Sequence, residues 1–145
     1  MTDHDDIVCQ IVRGDLEAAV VLRTEAVIGF LDHHPVFKGH VLLSPVQHVD
    51  TLLDLPADLM TPLLTTAQRV ATALATALDC QGTFVAMNNA VSQSVPHLHV
   101  HVVPRTKGDG LKGFFWPRTR YADGEEAAYA SRIRDALARA GHGGD

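Results

Sequence analysis

The sequence predicts an α+β domain of five strands, one long helix and a C-terminal helix. Three observations carry this. β-rich and helical stretches follow one another without the strict strand–helix–strand alternation of a parallel α/β fold. Leu59, Leu63, Ala67, Val70, Leu74 and Leu78 recur every three or four residues and form one apolar helical stripe. Residues 97–103 alternate histidine with aliphatic residues, the period-two pattern of a strand with two unlike faces. With 145 residues, 46% hydrophobic and 20% charged, the chain reads as one globular domain over residues 1–145.

Residues 18–22 and 26–31 are β-rich runs separated by the polar Arg23, Thr24 and Glu25, which reads as a hairpin. Asp32, His33, His34 and Pro35 break the second run. Residues 39–45 form the next strand, stopped by Pro45, which has no N–H to give to a ladder. The long helix starts at Pro56 or at Pro62, since either suits the first helical position; Thr61 would cap the second start. Gly82 follows the end of that helix. Residues 83–87 and 97–103 are two further strands. Asp123, with Glu126 three residues on, resembles a capping box, and Tyr129, Ile133, Leu137 and Ala140 make an amphipathic helix over 123–140. Residues 141–145 are expected to fray.

Acids outnumber bases by 17 to 12, giving a net charge of −5. A nucleic-acid polymer is therefore not expected as a partner, because non-specific binding needs a basic footprint. No apolar run approaches the ~18 residues of a membrane span, so no membrane partner is expected. The acidic opening from Thr2 to Asp6 lacks an apolar core, and no secretory signal is expected. Two cysteines, Cys9 and Cys80, are too few for a disulfide scaffold, which points to the cytoplasm; Cys80 reads as plain packing. Charge is unevenly spread. Residues 1–35 hold seven acids and two bases, whereas Arg105, Lys107, Lys112, Arg118 and Arg120 face only Asp109 over residues 104–120. That basic run is either a solvated loop or a rim beside a site for an anionic substrate.

Nine histidines against three lysines point to chemistry near neutral pH. In a strand, His97, His99 and His101 share one face, while Leu98, Val100 and Val102 share the other and pack on the core. Two functional readings follow. One is a metal site, because neutral imidazole is the commonest metal ligand. The other is phosphate chemistry, with one histidine as nucleophile and the others as donors. His33, His34 and His142 are expected in turns or the tail, exposed to solvent.

Residues 93–105 resemble the signature of the histidine triad (HIT) family, H-φ-H-φ-H-φ-φ with φ hydrophobic. Residues 32–45 are similar to the family's upstream block D-x-x-P-x-x-x-G-H-x-L-x-x-P, and residues 9–15 to its C-K-I-I-x-G-E. The likeness covers residues 6–105 in order. It implies a HIT-like fold with an antiparallel sheet, and a hydrolase or transferase acting on a phosphoanhydride or phosphoramidate bond of a small-molecule nucleotide. By this resemblance His99 attacks the α-phosphorus and forms a nucleotidyl-histidine, which water hydrolyses. A neutral imidazole is a good nucleophile at pH 7, and two displacements lower each barrier. His101 donates to a non-bridging phosphate oxygen as charge builds. His40, from a neighbouring strand, helps hold the tautomer of the nucleophile, and Ser94 and Gln93 offer donors to the phosphates and leaving group. The resemblance places Phe30 against the base and gives the Asp32 carboxylate the ribose hydroxyls. Either Asn88 or Asn89 matches an asparagine that contacts the phosphates. The family stretch N-x-G-x-x-A-G-Q is here two residues shorter and has no glycine.

Some family members hold structural zinc. The matching positions are Asp6, Cys9, His48 and His97, with aspartate, itself a zinc ligand, in place of a cysteine; His4 and Asp5 are alternative ligands. The covalent step needs no cofactor, and a divalent cation on the substrate phosphates is compatible with it. The resemblance and the apolar stripe of the long helix imply a homodimer. The glycine before His40 and the Pro104–Arg105 ending look like the branch that cleaves dinucleoside polyphosphates. The reading taken is hydrolysis at the α-phosphate of such a compound, for example diadenosine tetraphosphate. The alternatives are a purine nucleoside phosphoramidase, which the amino-terminal block resembles, and a non-catalytic nucleotide-binding regulator.

Overall fold

The computed structural model describes residues 4–112 and 117–141; of the residues expected to fray, 141–145, Gly141 instead ends a helix, and His142 with residues 143–145 lies outside the described residues. The chain forms two units, residues Met1–Asp109 and Gly110–Asp145.

The first unit opens with a helix that sequence pattern did not reveal, α1 (Ile7–Arg13). Two turns are too few for a periodic stripe. Its ends are nevertheless chemically marked. The Asp6 side chain caps the N-terminus by accepting from the Cys9 N–H at 2.9 Å, and Gly14 closes the C-terminus with φ 84°. Five strands follow: β1 (Val20–Arg23), β2 (Val27–Leu31), β3 (Val41–Pro45), β4 (Gly82–Ala86) and β5 (Val100–Arg105). They form one antiparallel sheet in the order β1-β2-β3-β5-β4.

Between β3 and β4 runs the long helix α2 (Ala57–Leu78). Of the two possible starts, the one after Pro56 is observed. Pro62 sits one turn in, where its missing N–H costs a single early bond, and Thr66 Oγ1 donates to the Pro62 carbonyl at 2.7 Å. Leu63, Ala67, Val70 and Leu74 of α2 bury against Val41, Leu43, Val100 and Val102 on one sheet face, with Leu98 in the same cluster. Cys80 packs at its margin, as expected for a small hydrophobe. On the opposite face, Ile28 and Phe30 bury against Val8 and Ile11 of α1.

Most strand boundaries differ from the sequence reading by one to three residues, and those of β3 and β5 have a local reason. β3 starts at Val41 because Gly39 turns the chain at φ 99° and the His40 N–H bonds the Phe37 carbonyl. A Cβ at Gly39 would collide with Leu78, so glycine is needed there for space as well as for its φ. β5 starts at Val100, not at residue 97. Residues 97–99 stand outside the ladder: the His97 N–H closes a turn on the Val95 carbonyl at 2.8 Å, and the Leu98 N–H bonds the Val49 carbonyl at 2.7 Å. Pro104 lies past the last β3–β5 pair, Val41 with Val102, so that flank asks no N–H of it.

The second unit contains α3 (Glu125–Gly141). Its capping contact comes from Glu125, which accepts from the Ala122 N–H at 3.1 Å, and not from the expected Asp123 and Glu126 pair. In the basic run, Arg105 bonds Asp109 twice, at 2.6 and 3.0 Å, which spends its charge locally. Among the described residues no helix is long and apolar enough to cross a membrane.

Candidate active site

The register aligns Val20, Phe30, Leu42, His101 and Ala86 in one row across the sheet. Directly paired residues project to the same face, so His101 shares the face of Phe30 and Leu42, opposite α2. His40 enters this face from the turn before β3, and His99 from the segment just before β5. The sheet thus gathers three imidazoles separated by up to 61 residues of chain.

Their protonation follows from their partners. His99 Nδ1 lies 2.8 Å from the carbonyl of His97. A carbonyl only accepts, so Nδ1 carries the proton and Nε2 keeps its lone pair. His40 Nδ1 accepts from the backbone N–H of Val36 at 3.1 Å. The proton of His40 is therefore on Nε2, which donates to His101 Nδ1 at 2.9 Å. That places the proton of His101 on Nε2. Two backbone groups thus set adjacent imidazoles, with centroids 5.1 Å apart, in opposite states: His99 offers a lone pair and His101 an N–H. The expected partner of His40 changes accordingly. It orients His101, whereas the tautomer of His99 is held by the His97 carbonyl, a backbone group with no signature in side-chain identity.

Electrostatics keeps this relay neutral. Burial, followed by the neighbouring His99 and His40, pushes His101 down to about 4, against an opposing pull from Asp32. Burial also lowers His40, although Asp32 lies 3.7 Å from its Nδ1. Both groups are neutral in the fold and protonate near pH ~6.5 once unfolded. The contribution of His101 to stability is therefore complete above pH ~6.5 and is lost as pH falls from there to about 4, and that of His40 is lost in the same direction. Melting temperature should decline over that window, and more shallowly in His101→Gln. Parallel declines in the two proteins would show that these groups do not set the acid limb.

Beside the relay lies a cleft of about 690 Å³, with Ile11, Phe30 and Leu42 lining it and Asp32 at its edge. Phe30 is only 3% exposed and belongs to the α1 core as well as to the cleft. Asp32 also has two duties. Its Oδ1 accepts from the His34 N–H at 2.9 Å, which forms the turn, while Oδ2 points toward His40. His33 and His34 are exposed, as expected, at the mouth of the same cleft.

The shortened loop at residues 88–93 is built differently from the expectation. Ala90 and Ser92 adopt φ of 68° and 60°, a left-handed conformation that costs a non-glycine residue ~1–2 kcal/mol. Side chains hold it there. Asn88 Nδ2 donates to the Ser92 carbonyl at 3.2 Å, Gln93 Oε1 accepts from the Ala90 N–H at 2.9 Å, and Gln93 Nε2 donates to the Asp50 carbonyl at 2.6 Å. Asn89 Oδ1 accepts from the Leu52 N–H at 2.8 Å. Gln93 is thus bonded at both ends of its amide within the fold, and Asn89 through its Oδ1. Ser94 is exposed.

His97 does not join the other two histidines at one point, which removes the reading of the three as ligands of a common metal. Its Nε2–H donates to the Pro45 carbonyl at 2.8 Å, leaving Nδ1 bare. Burial lowers His97, so this nitrogen is a lone pair. It faces Asp6 Oδ1 at 3.3 Å and Cys9 Sγ at 3.5 Å. His48 Nδ1 closes the group, 3.5 Å from Cys9 Sγ and 2.9 Å from Asp6 Oδ2, with His48 Nε2 on Asp50 at 2.6 Å. Burial raises Asp6, but the bonds from Cys9 and the nearby His97 and His48 outweigh it and leave the carboxyl lowered, hence ionised. Asp6 Oδ2 is buried without a hydrogen bond. A tetrahedral zinc with Zn–N of ~2.0–2.1 Å and Zn–S of ~2.3 Å sets its ligand atoms ~3.3–3.6 Å apart, so this donor set fits such an ion. The two outer hydrogen bonds fix each imidazole with Nδ1 inward, the usual support for a metal-binding histidine. Asp5 instead pairs with Arg13 at 3.1 Å, and the His4 ring stacks on His48 with centroids 3.6 Å apart.

The HIT domain profile matches residues 13–108. Protein hit of Bacillus subtilis is 34% identical over 113 residues, 76% of this chain and 77% of that protein. Adenosine 5′-monophosphoramidase HNT1 of Saccharomyces cerevisiae is 30% identical over 77% of this chain and 69% of its own length. The asymmetrical bis(5′-nucleosyl)-tetraphosphatase of Schizosaccharomyces pombe is 33% identical over 62% of this chain and 50% of its own. Among solved structures, a HIT family member from Bacillus subtilis has a TM-score of 0.81 at 31% identity, covering 91% of this chain and 96% of that one. A Zn-bound histidine triad family protein from Mycobacterium smegmatis has a TM-score of 0.70 at 32% identity, covering 90% and 96%. With the triad, the upstream histidine and the five-stranded sheet all in place, the chain belongs to the HIT domain family.

Proposed function

We propose that this protein hydrolyses a dinucleoside polyphosphate at its α-phosphate through a nucleotidyl-His99 intermediate. The observation that carries the reading is the opposed protonation of the two imidazoles. His99 Nε2, with its lone pair outward, attacks the α-phosphorus, and the P–O bond to the leaving phosphate breaks as the P–N bond forms. His101 Nε2–H meets the non-bridging oxygen on which charge builds. Water then cleaves the P–N bond, releasing nucleoside monophosphate and regenerating His99. The tetraphosphatase relative supports this substrate class, and the phosphoramidase relative supports the competing one. Steady-state turnover of diadenosine tetraphosphate against adenosine 5′-phosphoramidate decides between them. A kcat/KM at least tenfold higher for the tetraphosphate is expected; the reverse ratio moves the protein to the phosphoramidase reading, and no turnover of either to the regulator.

In this reading the Asp32 Oδ2 accepts from the ribose. Asp32→Asn keeps an acceptor for the His34 N–H and removes the charge. A hydrogen bond to a charged group contributes ~1.5–3 kcal/mol, so KM for ribonucleotides should rise about ten- to a hundredfold, and less for 2′-deoxy analogues. An equal rise for both sugars takes Asp32 out of that role.

The reading includes a structural zinc on Asp6, Cys9, His48 and His97. Four protein ligands leave no open position for water, so the ion supplies cross-linking and no chemistry. It would brace His97, whose carbonyl holds His99. The reading also includes a homodimer. β4 is a sheet edge, and its Val85 lines one groove with Met60 and Leu64 of α2, at 44%, 47% and 68% exposure. Light scattering should give twice the 15.7 kDa chain mass, and Leu64→Glu should return it to one chain. A wild-type monomer at micromolar concentration rejects the assembly.

A further inference from the structure

We propose that Glu17 reads the base of the bound nucleotide and selects guanine over adenine. The inference rests on the nucleotide-binding reading above and names the substrate class more closely. The sheet order places His101 on β5 and the approach to β1 three strand spacings away, about 14 Å at ~4.8 Å each. A nucleotide with its phosphorus at His99 and its ribose at Asp32 therefore extends its base toward β1. The wall there is the run Leu16, Glu17, Ala18 and Ala19. The Leu31 N–H donates to the Ala19 carbonyl at 3.0 Å, so Glu17 runs alongside the Asp32–His33 turn.

The lining from Ile11, Phe30 and Leu42 is apolar and accepts any flat ring, so it does not tell one base from another. Discrimination needs hydrogen bonds, and the acidic side chains of the cleft are Asp32 and Glu17. Asp32 is committed at the histidine end, to His34 and near His40. Glu17 is exposed and has no side-chain hydrogen bond or ion pair among the described residues. A carboxylate presents two acceptors side by side. Guanine matches them with the parallel donors N1–H and N2–H₂. Adenine offers one donor, N6–H₂, beside the N1 acceptor, whose lone pair opposes the second carboxylate oxygen. The amide of glutamine, one donor beside one acceptor, pairs with adenine N1 and N6 and equally with guanine O6 and N1–H, so it does not tell the two apart.

The test is calorimetric binding of GMP and AMP to the full-length wild type, Glu17→Gln and Glu17→Ala, each variant checked for an unchanged melting temperature. A charge-assisted pair predicts that wild type binds GMP about ten- to a hundredfold tighter than AMP. Glu17→Ala and Glu17→Gln should each bind the two within about threefold. Equal binding by wild type, or a guanine preference that survives in both variants, overturns the role of Glu17 and leaves the nucleotide reading standing. Failure of wild type to bind either nucleotide overturns both.

Discussion

Replacing His99 with alanine should abolish turnover while leaving nucleotide affinity within a few-fold of wild type. The expected loss is several orders of magnitude, because deleting a covalent nucleophile removes the pathway and not merely one contact. Affinity survives because the cleft is lined by Ile11, Phe30, Leu42 and Asp32, none of which His99 holds in place. The ring of His99 is fixed by a single bond to its own backbone two residues away, so its removal strands no distant partner. Rapid quench of the wild type followed by intact-mass analysis should show a nucleotide monophosphate adduct on His99. An adduct mapped elsewhere rejects the assignment, and an active His99→Ala protein rejects the mechanism. His101→Ala should retain the adduct and cost less, on the order of 10²–10³ in kcat, as the loss of one charge-stabilising donor does.

If the proposed zinc is bound, stripping it should produce the largest change in stability. A ligand present at a thousandfold excess over its Kd stabilises the folded state by about 4 kcal/mol, which for a domain of this size is a melting shift of roughly 10 °C or more. Chelation should therefore lower the melting temperature strongly and turnover at 25 °C only modestly. Asp6 needs separate handling, because it also caps α1. Asp6→Ala loses both roles, and the cap alone is worth ~1 kcal/mol. Asp6→Asn keeps the cap and loses the anionic ligand, so it isolates the metal contribution. Chelator should shift Asp6→Asn far less than wild type. Protein that carries no zinc by native mass spectrometry and melts unchanged when zinc is added refutes the site. In that case the acceptors around His97 Nδ1 must be satisfied by a proton on Cys9 or His48.

Much of the molecule was readable from residue order, and the reasons differ by element. The α2 stripe was visible because twenty-two residues contain six turns of one repeating pattern. The strands were visible because β-branched runs end at turn residues; their limits shifted by one to three positions, since ladder pairing depends on a partner strand, not on the run itself. Helix α1 was missed because two turns hold no period, and only its cap chemistry announces it. The loop at residues 88–93 was visible as a departure, because the missing glycines were plain. Its solution, left-handed Ala90 and Ser92 held by Asn88 and Gln93, depends on bonds to Asp50 and the loop backbone that no local rule specifies.

For the site, residue order by itself pointed to the candidate side chains. Alternation put His99 and His101 on one face, because a strand repeats every two residues. The likeness to the histidine triad family, not spacing alone, marked Asp6, Cys9, His48 and His97 as a donor set. Tertiary structure decided which nitrogen of each imidazole keeps its lone pair. Imidazole has two tautomers of similar energy, and only the partner on one nitrogen selects the state of the other. Those partners are the His97 carbonyl, the Val36 N–H and the Pro45 carbonyl, which every sequence possesses at every position and which become specific only when the fold brings them within bonding distance.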